Sequence, residues 1–173
     1  MKYLISFSMM SLLLFFASSS NAQTDKSKRP SPPALVKQKA GNINISIDYS
    51  QPSVKGRTIG VDLEPKDGQV WRTGANEATV FEVDQDVKIN GEALPKGKYA
   101  LFTLVEGNEW TVIFNKTWKQ WGAFEYKEAD DALRIKVKSY KAKAFSEKLT
   151  FTIDEKGRVE LLWGDKAFSF MVQ

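Results

Sequence analysis

Apolar and polar positions alternate along most of this chain. Ile43, Ile45, Ile47 and Tyr49 alternate with Asn44, Ser46 and Asp48, the period-two mark of a half-buried strand. The pattern returns at Trp110, Val112 and Phe114, and again at Leu133, Ile135 and Val137 with Arg134, Lys136 and Lys138 between them. Lys98 to Val105 is almost continuously apolar and predicts a central strand covered on both faces. Leu149, Phe151 and Ile153 lead to the turn Asp154-Glu-Lys-Gly157; Val159, Leu161 and Trp163 lead to a second turn signal at Gly164-Asp165; Phe168, Phe170 and Val172 close the pattern.

Turn chemistry punctuates these runs. Asn90-Gly91 after Val87 and Ile89 is a strong two-residue hairpin signal. Arg57 to Gly68 is broken by Gly60, Pro65 and Gly68 and predicts irregular chain. No stretch after the N-terminal segment carries an apolar stripe of period 3.6 with caps. The expectation is an all-β fold: one antiparallel β-sandwich or barrel-like domain of roughly nine strands over residues 34–173, with no major helix.

The N-terminus reads differently. Lys2, the apolar run Leu4 to Ala17 and the small residues of Ser20-Asn21-Ala22 fit a signal peptide over 1–22, with cleavage before Gln23. The run is shorter than the roughly 20 residues of a spanning helix, so no stable membrane insertion is expected after cleavage. An exported, periplasmic or extracellular protein follows. Residues 23–33 are polar and proline-rich and predict a disordered, solvated lead-in.

Composition narrows the chemistry. The chain has no Cys and no His. That excludes disulfides, thiol nucleophiles, thiolate metal sites and imidazole catalysis. Loss of Lys2 with the leader leaves 24 basic against 21 acidic residues, a small excess that gives no reason to expect nucleic acid. No cofactor or metal is predicted: Asp84 and Asp86, or Asp130 and Asp131, lack the ligand spacing and glycine of a calcium loop.

The densest polar cluster is Val70-Trp-Arg-Thr-Gly-Ala-Asn-Glu-Ala-Thr79. Arg72 offers a planar donor fork, Asn76 a two-way hydrogen bonder, Glu77 an acceptor or base, and Trp71 an apolar platform. The competing structural account is a buried Arg72–Glu77 pair, with Gly74 supplying a positive φ. Arg57, in the basic turn Lys55-Gly-Arg57, would complete a two-arginine anion clamp if its loop lies beside Arg72. Residues 115–131 form the one long connection and carry Trp118, Trp121, Phe124 and Tyr126, as a ligand wall or as a cap on the core. Arg57, Trp71, Arg72, Asn76, Glu77 and Trp121 are the candidate ligand-binding residues.

Three further stretches, Tyr49-Ser-Gln-Pro-Ser-Val-Lys-Gly-Arg57, Leu94-Pro-Lys-Gly-Lys-Tyr-Ala-Leu-Phe102 and Trp121-Gly122, join the central block in a recognisable set. With them the chain resembles a bacterial domain-of-unknown-function family, DUF2911, from about Ser31 to the end. The resemblance implies export and brings no catalytic residue, cofactor or substrate. The expected function is therefore binding of a small polar or anionic ligand, a sugar, phosphate or peptide end. The alternatives are a hydrolase or lyase that uses Glu77, with Asp62, Glu64 or Glu125 as a second carboxylate, and an envelope assembly partner docking through 115–131. The sequence leaves oligomeric state open.

Overall fold

The computed structural model describes residues 25–173. The expected leader over 1–22 lies outside the described residues. Eleven strands follow: β1 Pro33–Ala40, β2 Ile43–Ser50, β3 Val70–Trp71, β4 Thr79–Val83, β5 Val87–Ile89, β6 Glu92–Leu94, β7 Gly97–Glu106, β8 Glu109–Asn115, β9 Asp131–Lys138, β10 Tyr140–Ile153 and β11 Arg158–Met171. The only helical pieces among the described residues are two three-residue 3-10 turns, Lys26–Lys28 and Glu128–Asp130. Among the described residues no helix is long and apolar enough to cross a membrane.

The main sheet is antiparallel in the order β1-β2-β4-β7-β8-β9, with β3 also paired to β7. The 14-residue strands β10 and β11 form a long ribbon, and β5 and β6 a small hairpin. The protein is all-β and sandwich-like, and the sheet does not close into a barrel.

The period-two pattern sets the faces. In β2 Ile43, Ile45, Ile47 and Tyr49 are buried, while Asn44 and Asp48 are exposed. These side chains meet Phe81, Leu101, Val112 and Phe114 of the sheet and Leu149, Phe151, Leu161, Trp163 and Phe170 of the ribbon in one core. Phe81, Phe114 and Phe170 pack edge to face, with centroids 5.1, 5.7 and 6.1 Å apart. Such pairs contribute ~0.5–1.5 kcal/mol each beyond area burial.

β7 is central, as its apolar run predicts. Its second face holds Ala100 and Phe102, which with Ala78 and Ile113 form a separate small core. Part of the 115–131 connection covers that face: Ala123 and Tyr126 pack on it, with the Tyr126 ring 5.2 Å from Phe102. Tyr126 Oη–H donates to Asp131 at 2.8 Å, and Arg134 Nη1–H donates to both Asp131 and the Tyr126 hydroxyl oxygen. The connection is thus tied to β9 and sits at a fixed height over the sheet.

The Asn90-Gly91 hairpin forms as predicted, with φ of 50° and 93° at its two loop residues. Gly164-Asp165 does not turn the chain. Gly164 takes φ 62° inside β11, at the register shift where Ser146 of β10 opposes it. Glycine suits this bulge because side chains are strained at φ 62°, and an added Cβ, 2.5 Å from Ile59 Cδ1, would also force that methyl to move. The strand continues past the bulge, which gives two long strands where sequence pattern suggested several short ones.

The lead-in also departs from expectation over its described part. Asp25 accepts hydrogen bonds from the Ser27 backbone N–H and hydroxyl at 3.1 and 2.6 Å and so starts the Lys26–Lys28 turn. Residues 26–32 then run as a strap against the 76–78 segment before β1 begins at Pro33.

Candidate functional site

The central segment divides its side chains between core and surface. Trp71 pairs with Thr103 across β3 and β7, so its indole points inward and is only 3% exposed. Its Nε1–H donates to the Gly74 carbonyl at 3.0 Å. Trp71 is a core residue that braces the following loop, not an exposed platform. Thr73 and Asn76, not Gly74, carry the positive φ values, 50° and 59°. Gly74 is needed for space: an added Cβ would lie 2.8 Å from Thr79 Oγ1 and 3.3 Å from the Ser50 carbonyl.

The two-arginine clamp does not assemble. Arg57 turns back on its own loop, donating to the Ser53 and Val54 carbonyls at 2.7 and 3.1 Å. Arg72 is half-buried, and its Nη1 lies 3.8 Å from the position a Cβ on Gly122 would take. Burial lowers its pKa, partly opposed by the field of Glu64. Its Nε is buried without a hydrogen-bond partner among the described residues. Neither arginine lines the cleft described below, and Arg72 does not pair with Glu77.

Glu77 is held by the strap instead. Lys26 Nζ lies 2.9 Å from Oε1, and Arg29 Nη1–H donates to Oε2 at 2.8 Å and to Oε1 at 3.1 Å. Asn76 Nδ2–H donates to the Ser31 carbonyl at 2.9 Å, which clips the same strap one residue earlier. Burial pushes the Glu77 carboxyl up, but hydrogen bonds from Lys26, its own backbone and Arg29, with the Lys26 charge, outweigh that and bring its pKa down to about 2.

Residues 120–122 pair antiparallel with 76–78. The Ala78 N–H donates to the Gln120 carbonyl at 3.1 Å, the Gly122 N–H to the Asn76 carbonyl at 3.0 Å, and Glu77 faces Trp121 across the bridge. Gly122 has φ 64° and lets the chain turn away at once. Trp121 stays 53% exposed, and the Arg29 guanidinium carbon stands 5.8 Å from its ring centroid. Trp118 is 38% exposed, with Lys98 Nζ 5.4 Å from its ring.

These pieces enclose a concavity of about 450 Å³. One wall is β2 and β4, from Asp48, Tyr49, Ser50 and Val80. The other is Trp118, Lys119, Gln120 and Trp121, with Lys26 and Glu77 at one side. Gln120 is buried at 7% exposure, and its Nε2–H donates to the Thr117 carbonyl at 2.6 Å. Its Oε1 has no partner among the described residues. A buried acceptor without a donor is costly, and this oxygen is closed off from solvent although its residue lines the cleft. Asp48 is exposed and makes no ion pair among the described residues.

Residues 31–172 match the model of the family described as Protein of unknown function (DUF2911). The chain belongs to the DUF2911 family. No curated protein and no solved structure matches it. For this DUF2911 chain the structure therefore brings Glu77 and Trp121 to one cleft, uses Asn76 to clip the strap, and places Arg57, Trp71 and Arg72 elsewhere. Lys26, Arg29, Gln120 and Asp48 escape the sequence reading. Gln120, set between Trp118 and Trp121, is the one a sequence signal marks; the strap and Asp48 become visible only when distant segments meet.

The acidic pairs considered for metal are committed separately. Asp84 accepts from Asn44, Asp86 from the Lys96 N–H, Asp130 from Thr117, and Asp131 from Tyr126, Asn115 and Arg134. No group of three or more acidic side chains able to hold a metal occurs among the described residues. Asp62 and Glu64 accept from backbone N–H groups of the 57–68 loop and do not line the cleft.

Proposed function

We propose that this chain is an exported binding module whose cleft holds a small polar ligand, a sugar or a peptide end, between β2 and the 118–121 segment. The observation that carries the reading is the convergence of Glu77, Asp48, Trp118 and Trp121 on one open concavity of about 450 Å³. That is within the ~300–1,000 Å³ range of small-molecule sites, which combine an apolar wall with a few fixed polar groups. Trp118 and Trp121 supply the wall, and Glu77 and Asp48 supply acceptors.

Charge does not single out an anion here. Lys26 and Arg29 already neutralise Glu77, and the exposed Asp48 is matched by the exposed Lys119 of the other wall. Catalysis by Glu77 also loses support, because a carboxyl with a pKa of about 2 is a weak base at neutral pH.

The test is a thermal-shift and calorimetric screen of the purified protein against neutral oligosaccharides, short peptides and phosphates. Binding of a sugar or peptide that Trp121→Ala abolishes supports the module. A folded protein that binds only phosphates, or whose binding ignores Trp121→Ala, refutes this placement of the site.

A further inference from the structure

Apart from the strap's Lys26, the cleft is lined by two carboxylates, two indoles and one exposed lysine, Lys119. Glu77 and Asp48 are its carboxylates, and Trp118 and Trp121 are 38% and 53% exposed, with Lys98 and Arg29 standing over their rings at 5.4 and 5.8 Å. Acceptors and π faces together select a donor that carries positive charge. The N-terminal strap supplies two such groups. Lys26 Nζ sits 2.9 Å from Glu77 at the cleft side, and the Arg29 guanidinium bridges Glu77 and the Trp121 face at 2.8 Å and 5.8 Å. Both come from a three-residue turn and a strap that is clipped near its end, where Asn76 donates to the Ser31 carbonyl and the Gln51 N–H to the Pro32 carbonyl, before β1 begins.

We propose that the cleft recognises a protonated amine or guanidinium on its ligand, and that Lys26 and Arg29 are intramolecular occupants of that position. The inference rests on the cleft being a binding site and names the ligand's charge. A cationic ligand must then displace the strap. Its apparent affinity is reduced by the fraction of molecules whose strap is open. A strap tethered a few residues from its site competes at an effective concentration of order mM. Opening the strap therefore strengthens binding of a free cation.

The experiment uses the acetylated, amidated tetrapeptide Lys-Ser-Lys-Arg as cationic probe, Gln-Ser-Gln-Gln as its neutral counterpart, and maltotriose as polyhydroxylated probe. Each is titrated calorimetrically into wild type, Lys26→Ala/Arg29→Ala, and that double variant carrying Glu77→Gln. The expected result is that the basic peptide binds the double variant ~10-fold or more tighter than wild type, that the neutral peptide does not, and that Glu77→Gln removes the gain. Circular dichroism confirms that each variant is folded, and Lys26→Gln replaces the double variant if that one is not. Equal binding of the basic peptide to wild type and variant overturns the proposal. Binding of maltotriose without the basic peptide overturns the cation assignment while leaving the cleft as a site. Failure of every probe on a folded strap-open variant overturns both.

Discussion

Replacing Glu77 by Gln removes the group on which the N-terminal strap closes. The carboxylate holds Lys26 at 2.9 Å and Arg29 at 2.8 Å. Lowering its pKa from 4.5 to about 2 corresponds at face value to ~3 kcal/mol. Its side chain is 38% exposed, however, so water and salt screen the pairs, and measured exposed pairs contribute ~0.2–1 kcal/mol each. Two partners put the loss at ~0.4–2 kcal/mol. Most of it falls on local opening of the strap, because few other contacts hold residues 26–32. A loss of this size raises the open fraction ~2–30-fold. Limited trypsin digestion reads it directly, since Lys26 and Lys28 are cleavable and Pro30 protects the bond after Arg29. Glu77→Gln should be nicked ~2–30-fold faster at Lys28 as long as the strap opens and closes faster than trypsin cuts it, with a fall in Tm of at most a few degrees for a domain this size. The wild-type advantage should shrink in high salt. Unchanged nicking at Lys28 in low salt would show that the strap is not held by Glu77, and the account of the site would fail with it.

Acid should release the same strap. A carboxyl whose folded pKa lies below its unfolded value of 4.5 stabilises the protein fully above that pH, and the contribution is lost as pH falls toward about 2. Trypsin cannot follow this, but hydrogen exchange of residues 26–32 between pH 5 and 2.5 can, and Glu77→Gln should abolish the pH dependence. Trp71→Ala should cost ~3–5 kcal/mol as a core truncation, whereas Trp121→Ala should leave the denaturant midpoint nearly unchanged; equal losses would contradict their opposite burial. Tyr126→Phe removes a hydroxyl that burial and Asp131 push up to about 12, and urea melts should record a loss of ~1–2 kcal/mol. Gly157→Ala places a Cβ 2.2 Å from the Val172 carbonyl oxygen at φ 84°, so a loss of ~1–3 kcal/mol or more is expected from chemical denaturation; a neutral result would mean that the β10–β11 turn relaxes freely.

The amino-acid sequence by itself determined the strand character, the inward face of β2, the doubly covered β7 and the Asn90-Gly91 hairpin. Each depends on side-chain alternation or on a backbone conformation only a few residues accept, and both are local properties. The family was legible for the same reason, in contiguous blocks of residues. Tertiary structure decided what those blocks do. Trp71 and Trp121 are both tryptophans beside polar neighbours, yet one is sealed in the core and the other opens to the cleft, because β3 pairs with β7 while residue 121 pairs with 77. Arg72 stands five residues from Glu77, but the carboxylate takes its partners 48 and 51 positions upstream. Ion pairing follows distance in space, and in an antiparallel sheet that distance is set by which strands lie side by side, which no single window of sequence contains.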